Sequence, residues 1–255
     1  MKRALLIAAL ALVAVAPAGA DPVPPGAFTT SNDGAALYGA NCSMCHGSRG
    51  EGMPPPPNHR GSGDISGAGP SLRGVGALAA DFYLRTGYMP LRSASIQPTR
   101  SRVLFSETQI RALVAYVDSF GGGPAIPTPH PERGSLSDGR RLFTSNCAGC
   151  HQIVAEGGFA TGARVPPLED ATPTQIAEAI RVGPYVMPHF SERHLSDEQV
   201  DSIIRYVQYA KAPDDRGGWS LGHIGPVPEG LVTWWIGAVI LVAFCILLGR
   251  RLRRA

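Results

Sequence analysis

Two pentapeptides dominate the chemistry open to this chain: Cys42-Ser43-Met44-Cys45-His46 and Cys147-Ala148-Gly149-Cys150-His151. In each, two thiols stand about one helical turn apart and a histidine follows directly. That spacing suits covalent attachment of a haem. The thiols meet its two vinyl groups, and the imidazole meets the iron from the same side. A thioredoxin-like dithiol would need a βαβ surround, and neither motif is flanked by one. Zinc would need further well-spaced Cys or His ligands, whereas the fifth cysteine, Cys245, lies inside an apolar run. Two covalently bound haem c groups are therefore expected, with iron ligated by His46 and His151.

A sixth ligand separates electron transfer from ligand chemistry. Met89 in Thr86-Gly87-Tyr88-Met89-Pro90 and Met187 in Gly183-Pro184-Tyr185-Val186-Met187-Pro188 occupy the same place in two successive halves, each followed by proline. A thioether is a soft ligand that raises the potential of a haem relative to a second imidazole. Met44 is trapped within its Cys-x-x-Cys loop, and Met53 lies too near the attachment motif. His189 and His194 stand in reserve for the second iron, while His59, His130 and His223 read as loop residues. Each proximal imidazole also needs an acceptor for its other ring nitrogen. Gly69-Pro70-Ser71-Leu72 and Val165-Pro166-Pro167-Leu168 recur at matching positions, so Pro70 and Pro166 are expected to stiffen loops that deliver a carbonyl.

The elements that must position these groups also recur. Asp33-Gly34 through Asn41-Cys42 parallels Asp138-Gly139 through Asn146-Cys147, each a short helix with its Asp as the expected cap. Ser106-Glu107-Thr108-Gln109 and Ser196-Asp197-Glu198-Gln199 carry the spacing of a capping box and open two closing helices. Ile110, Leu113, Val114 and Val117 share one face of the first, as do Val200, Ile203, Ile204 and Val207 of the second. Gly34 and Gly139 are expected to let the first helix of each half approach the last, with Tyr38, Phe143, Tyr116 and Tyr206 packed around the crossing. No alternating strand pattern stands out.

Composition and the chain ends complete the outline. Gly 31 and Pro 23 make up more than a fifth of 255 residues, as in small, loop-rich domains. The net charge of +3 gives no nucleic-acid signal. Residues 1–20 have the basic start, apolar middle and Ala-x-Ala end of an export signal, cleaved after Ala20 or retained as an anchor. Leu231 to Leu248 contains no charge and is long enough to cross a bilayer. Trp234 and Trp235 stand near its outer end, and Arg250, Arg251, Arg253 and Arg254 follow, which places the C-terminus in the cytoplasm. The organisation expected is an all-α pair of tandem domains, 30–121 and 134–212, with a Gly/Pro linker at 122–133. A juxtamembrane segment at 213–230, a transmembrane helix at 231–249 and an Arg-rich tail at 250–255 follow.

Each half resembles a class I cytochrome c domain in its C-x-x-C-H, proline loop, Met-Pro and crossed terminal helices. The whole is similar to the di-haem cytochrome c subunit of the actinobacterial cytochrome bcc complex, down to the Gly217-Gly218-Trp219 to Gly230 stretch before the last helix. The longer loop between Met53 and Gly69 departs from the pattern. The resemblance implies an electron-transfer subunit of a menaquinol–cytochrome c reductase in the cell membrane, its haem domains extracytoplasmic. Its partners would be a cytochrome b subunit, a Rieske iron–sulfur subunit and an aa3-type oxidase, with lipid met through one helix. Another anchored carrier, such as the cytochrome subunit of a different dehydrogenase, is the alternative. A di-haem peroxidase needs one open iron, which two methionine candidates disfavour.

Overall fold

Asp33 opens the described chain as an N-cap, its carboxylate accepting from the amides of Ala35 and Ala36 and starting helix α1 (Gly34–Asn41). The computed structural model describes residues 31–54, 69–91, 98–160, 162–213 and 226–253. The export signal, His59, His223, most of the 53–69 loop and most of the juxtamembrane segment lie outside them. Helix α2 (Ser43–His46), α3 (Gly76–Arg85) and α4 (Glu107–Asp118) follow. The expected capping box on α4 is formed: Ser106 Oγ accepts from the Gln109 amide while Gln109 Oε1 accepts from the Ser106 amide. After a 3₁₀ turn at Pro131–Arg133 come α5 (Leu136–Asn146), α6 (Ala148–His151), α7 (Pro173–Val182), α8 (Asp197–Lys211) and α9 (Pro226–Leu252).

Two expectations need correction. Asp138 does not cap α5. The helix begins at Leu136, and Ser135 caps it by accepting from the Asp138 amide. Asp138 therefore sits in the first turn, where its charge favours the helix N-terminus and meets Arg141 at 3.4 Å. The chain also carries a small antiparallel hairpin, β1 (Gly158–Ala160) with β2 (Ala163–Val165), paired Gly158 to Val165. Three-residue strands are too short to show a period of two, and the fold stays helical in class.

The described residues form two compact units. The first runs up to Pro129 and also takes in Thr172–Ser196. Its core joins Leu37 and Tyr38 of α1 to Ile110, Leu113, Val114 and Val117 of α4, with Leu84 and Phe105. Gly34 lies against α4 so closely that a Cβ there would stand 2.3 Å from the Ala112 carbonyl oxygen. Tyr38 and Tyr116 meet beside it, ring centroids 5.4 Å apart. Helix α7 packs on α3 in this unit, and Gln175 Nε2 donates to the Arg85 carbonyl at 3.4 Å.

The second unit comprises His130–Ala171 and Asp197–Ala255. Its centre is the crossing of α5 and α8, which buries Leu142, Phe143, Val200, Ile203, Ile204 and Val207. Here Gly139 makes the close approach, since a Cβ would fall 1.9 Å from the Ser202 carbonyl oxygen. Phe143 and Tyr206 pack alongside at 5.3 Å. Helix α9 presents a stretch from Gly230 to Leu252, mean hydropathy 2.6, with none of its surface buried in the protein. That exposure separates it from a core helix and fits an anchor in lipid.

Candidate haem-binding sites

Both pentapeptides adopt one local geometry, and the sequence around them explains it. In the first, α1 ends when the Cys42 amide donates to Tyr38 at 2.8 Å, and Asn41 Nδ2 donates to Leu37 at 2.8 Å. The chain then turns into α2, where the amides of Cys45 and His46 both donate to the Cys42 carbonyl at 3.1 and 2.9 Å. In the second, α5 ends through Cys147 to Phe143 at 2.8 Å and Asn146 to Leu142 at 2.8 Å. Cys150 and His151 donate to Cys147 at the same 3.1 and 2.9 Å. All four cysteines are unbridged. One tight turn thus presents two thiols and an imidazole on each motif.

The residues after each motif fold back to hold the imidazole. The Gly52 amide donates to the His46 carbonyl at 2.8 Å, and Leu72 donates to Gly50 at 2.8 Å. This brings the Pro70 carbonyl 2.8 Å from His46 Nδ1. Likewise Gly157 donates to His151 at 3.1 Å, Leu168 donates to Ala155 at 2.9 Å, and the Pro166 carbonyl lies 3.3 Å from His151 Nδ1. A carbonyl only accepts, so in each pair Nδ1 carries the proton and the lone pair of a neutral ring sits on Nε2. Burial lowers the His151 pKa and the Pro166 bond only partly restores it, which keeps that ring neutral. A neutral imidazole with a free Nε2 is the form that ligates iron.

The thiols differ from catalytic cysteines. Burial, and then the neighbouring Cys45, pushes Cys42 up to about 11; burial and then Cys150 does the same to Cys147. A nucleophilic or metal-binding thiol is shifted the other way. A first thiol raised in this way beside an anchored imidazole fits a covalently attached haem better than a dithiol redox pair. When bound, such a group supplies a one-electron iron couple.

Two tyrosines tie the same loops, a role not assigned from sequence. Tyr38 on α1 donates its hydroxyl to the Gly47 carbonyl at 2.8 Å, and Tyr206 on α8 donates to Ile153 at 2.7 Å. The hydroxyls thus fasten the chain one residue past His46 and two past His151 while the rings pack the helix crossing.

Both methionine candidates are partly buried. The Met89 amide donates to Tyr83 at 3.0 Å, which folds the segment back along α3. Met187 follows α7, its amide donating to Pro184 at 3.0 Å. The segment beyond it is held by Arg181, whose Nη1 donates to the carbonyls of Phe190 and Leu195 at 3.0 and 2.8 Å. His189 is engaged instead by the Arg181 carbonyl, 2.6 Å from its Nδ1. The described contacts bring His46 to Pro70 and His151 to Pro166; Met89 falls in the first unit with His46, and Met187 also falls in the first unit, whereas His151 belongs to the second.

Comparison with known proteins agrees with this geometry. Residues 31–121 match the family model described as Cytochrome c, and residues 134–207 match that of Cytochrome C oxidase, cbb3-type, subunit III. The chain is similar to the cytochrome bc1 complex cytochrome c subunit of Corynebacterium diphtheriae, 35% identical, covering 86% of this chain and 80% of that protein. The corresponding subunit of Mycobacterium tuberculosis is 36% identical across 97% of this chain and 89% of its own length. That of Mycobacterium leprae is 37% identical, with 86% and 74% covered.

Proposed function

The chain belongs to the family of cytochrome bc1 complex cytochrome c subunits, and on that premise we propose that it is a membrane-anchored di-haem carrier. In this reading it takes electrons from a Rieske iron–sulfur subunit beside a cytochrome b subunit. It then delivers them to an aa3-type cytochrome c oxidase. The observation that carries the di-haem reading is the repetition of one geometry in the two units. Each has unbridged thiols one turn apart and a histidine whose Nδ1 faces a proline carbonyl.

The residues then have separable tasks. Cys42 with Cys45, and Cys147 with Cys150, form thioether bonds and fix each haem to its turn. His46 and His151 offer Nε2 to iron, while the carbonyls of Pro70 and Pro166 hold each ring's orientation and strengthen it as a donor. Met89 and Met187 would supply the remaining iron ligands, and a haem so held would carry electrons rather than bind oxygen or peroxide. The chain thereby handles electrons only, and quinol oxidation belongs to its partners in a translocase-type reductase. The apolar α9 holds the domains at the membrane, and Arg250, Arg251 and Arg253 keep the C-terminus cytoplasmic, with the haem domains outside.

Purification of the full chain in mild detergent tests the proposal. Two haem c per polypeptide and co-purifying cytochrome b and Rieske subunits are expected. One haem per chain, high-spin iron at rest, or recovery without those subunits would overturn it.

A further inference from the structure

Away from the cysteine motifs, the first unit buries two acids against each other. Glu178 on α7 is fully buried, and neither of its carboxylate oxygens receives a hydrogen bond from any described donor. It faces Asp81 on α3, itself only 3% exposed, whose two oxygens are taken by Arg85 Nε at 2.8 Å. The outer face of Arg85 is occupied by Glu107 of α4, at 2.5 and 2.9 Å. Arg100 Nη2 donates to Gln175 Oε1 at 3.3 Å. No described donor hydrogen-bonds Glu178, although the Arg85 charge acts on it, and two facing carboxylates accept but cannot donate. The contact is satisfied when one proton lies between them, donated by Glu178 to Asp81. A cavity of about 620 Å³, lined by Asp81, Arg85, Glu107, Thr174, Gln175 and Glu178, adjoins the pair. It is large enough to hold waters that exchange such a proton.

The two acids occupy the same position in α3 and α7, the helices that lead to the methionine candidates. Two residues beyond Asp81, the Tyr83 carbonyl accepts from the Met89 amide at 3.0 Å. Two residues beyond Glu178, the Ile180 carbonyl accepts from the Phe190 amide at 3.0 Å, closing the segment that contains Met187. We propose that Asp81 and Glu178 form a redox-linked proton site in the alkaline range, where the pair begins to lose its shared proton: reduction of the chain's iron draws that proton back, and oxidation releases it. The proposal rests on the haem reading above. One electron from a one-electron donor reaches iron, and one proton from solvent crosses the cavity to form a single O–H bond on Glu178. Oxidation reverses both. Burial, then the charge of Asp81, raises the Glu178 pKa to about 9, with Arg85 opposing. A charge lost from the same domain on reduction moves such a group further in the same direction.

The test is potentiometric titration of the full haem-loaded chain from pH 6 to 10, for wild type, Glu178→Gln and Asp81→Asn. At least one wild-type midpoint potential should fall as pH rises towards 10, and both variants should flatten that slope at least twofold. At about pH 9, reduction of the wild type should increase the infrared carbonyl band of a protonated carboxylic acid, an increase absent in Glu178→Gln. A chain without two haems would sink the haem reading instead. Intact haem spectra with pH-independent potentials, or an unchanged slope and band in Glu178→Gln, would overturn the proton site alone. If Glu178→Gln does not fold, Asp81→Asn and the wild-type band decide by the same criteria.

Discussion

Replacing Gly34 and Gly39 by alanine, one at a time, makes the same chemical change twice in one helix, yet opposite effects are expected. Gly39 is exposed on α1 with nothing within 4 Å of an added Cβ. Alanine there should stabilise by about 0.5–1 kcal/mol, through the lower backbone entropy it loses on folding. Gly34 faces α4, and its added Cβ would stand 2.3 Å from the Ala112 carbonyl oxygen and 2.9 Å from Tyr116 Cβ. A carbon–oxygen contact settles at roughly 3.3 Å or beyond, so the helices would have to part by about 1 Å. A gap of that size forfeits a quarter to a half of each dispersion contact. The affected contacts include those of Leu37, Tyr38, Leu113 and Val117. Backbone cannot rotate away as a side chain does, so the upper part of the usual 1–3 kcal/mol for overpacking applies. Thermal melting of the full chain in detergent, followed by helical circular dichroism, should separate the variants by roughly 5–10 °C. Equal melting temperatures, or a Gly34→Ala more stable than wild type, would refute the close-crossing argument.

Four further outcomes follow from particular contacts. Glu178 holds a proton in the folded chain that it loses above about pH 4.5 when unfolded, so its contribution to stability is complete below 4.5 and fades as pH rises to about 9. Glu178→Gln, which cannot titrate, should therefore gain on wild type as pH rises, by up to about 3 kcal/mol between pH 5 and 7, in chemical denaturation at the two pH values. Tyr206→Phe removes the 2.7 Å bond to Ile153 and should lower stability by about 1 kcal/mol in the same assay while leaving haem content unchanged. Cys147→Ala with Cys150→Ala should halve covalently bound haem, read from the reduced pyridine spectrum per polypeptide. Arg181→Ala frees the carbonyls of Phe190 and Leu195 and should weaken the methionine–iron absorption band of one haem only; an unaltered band would separate that loop from ligation.

The features legible in the sequence are those whose physics is local. Two cysteines and a histidine within one turn need only a helix end to converge, and Asn41 with Asn146 sits where each preceding helix stops. The α4 capping box and the charge-free run of α9 with its arginines are short-range in the same way, whereas the proline carbonyls meet their imidazoles from 24 and 15 residues away. The close approach at Gly34 and Gly139 was also readable, because only a missing Cβ admits a facing carbonyl. Ser135 displaced Asp138 as the cap because α5 starts a turn earlier than its counterpart, a choice made by the Ser135 amide donating to Ser202 on the distant α8 at 3.0 Å. The tyrosine hydroxyls found Gly47 and Ile153 only once the helices had crossed. Asp81 and Glu178 show the division most plainly. Each is an acid on an amphipathic helix with solvent as its expected neighbour, and the two are nearly a hundred residues apart. Packing of α7 on α3 buries both, so the proton that Glu178 keeps belongs to the tertiary structure, while the haem motifs belong to the chain.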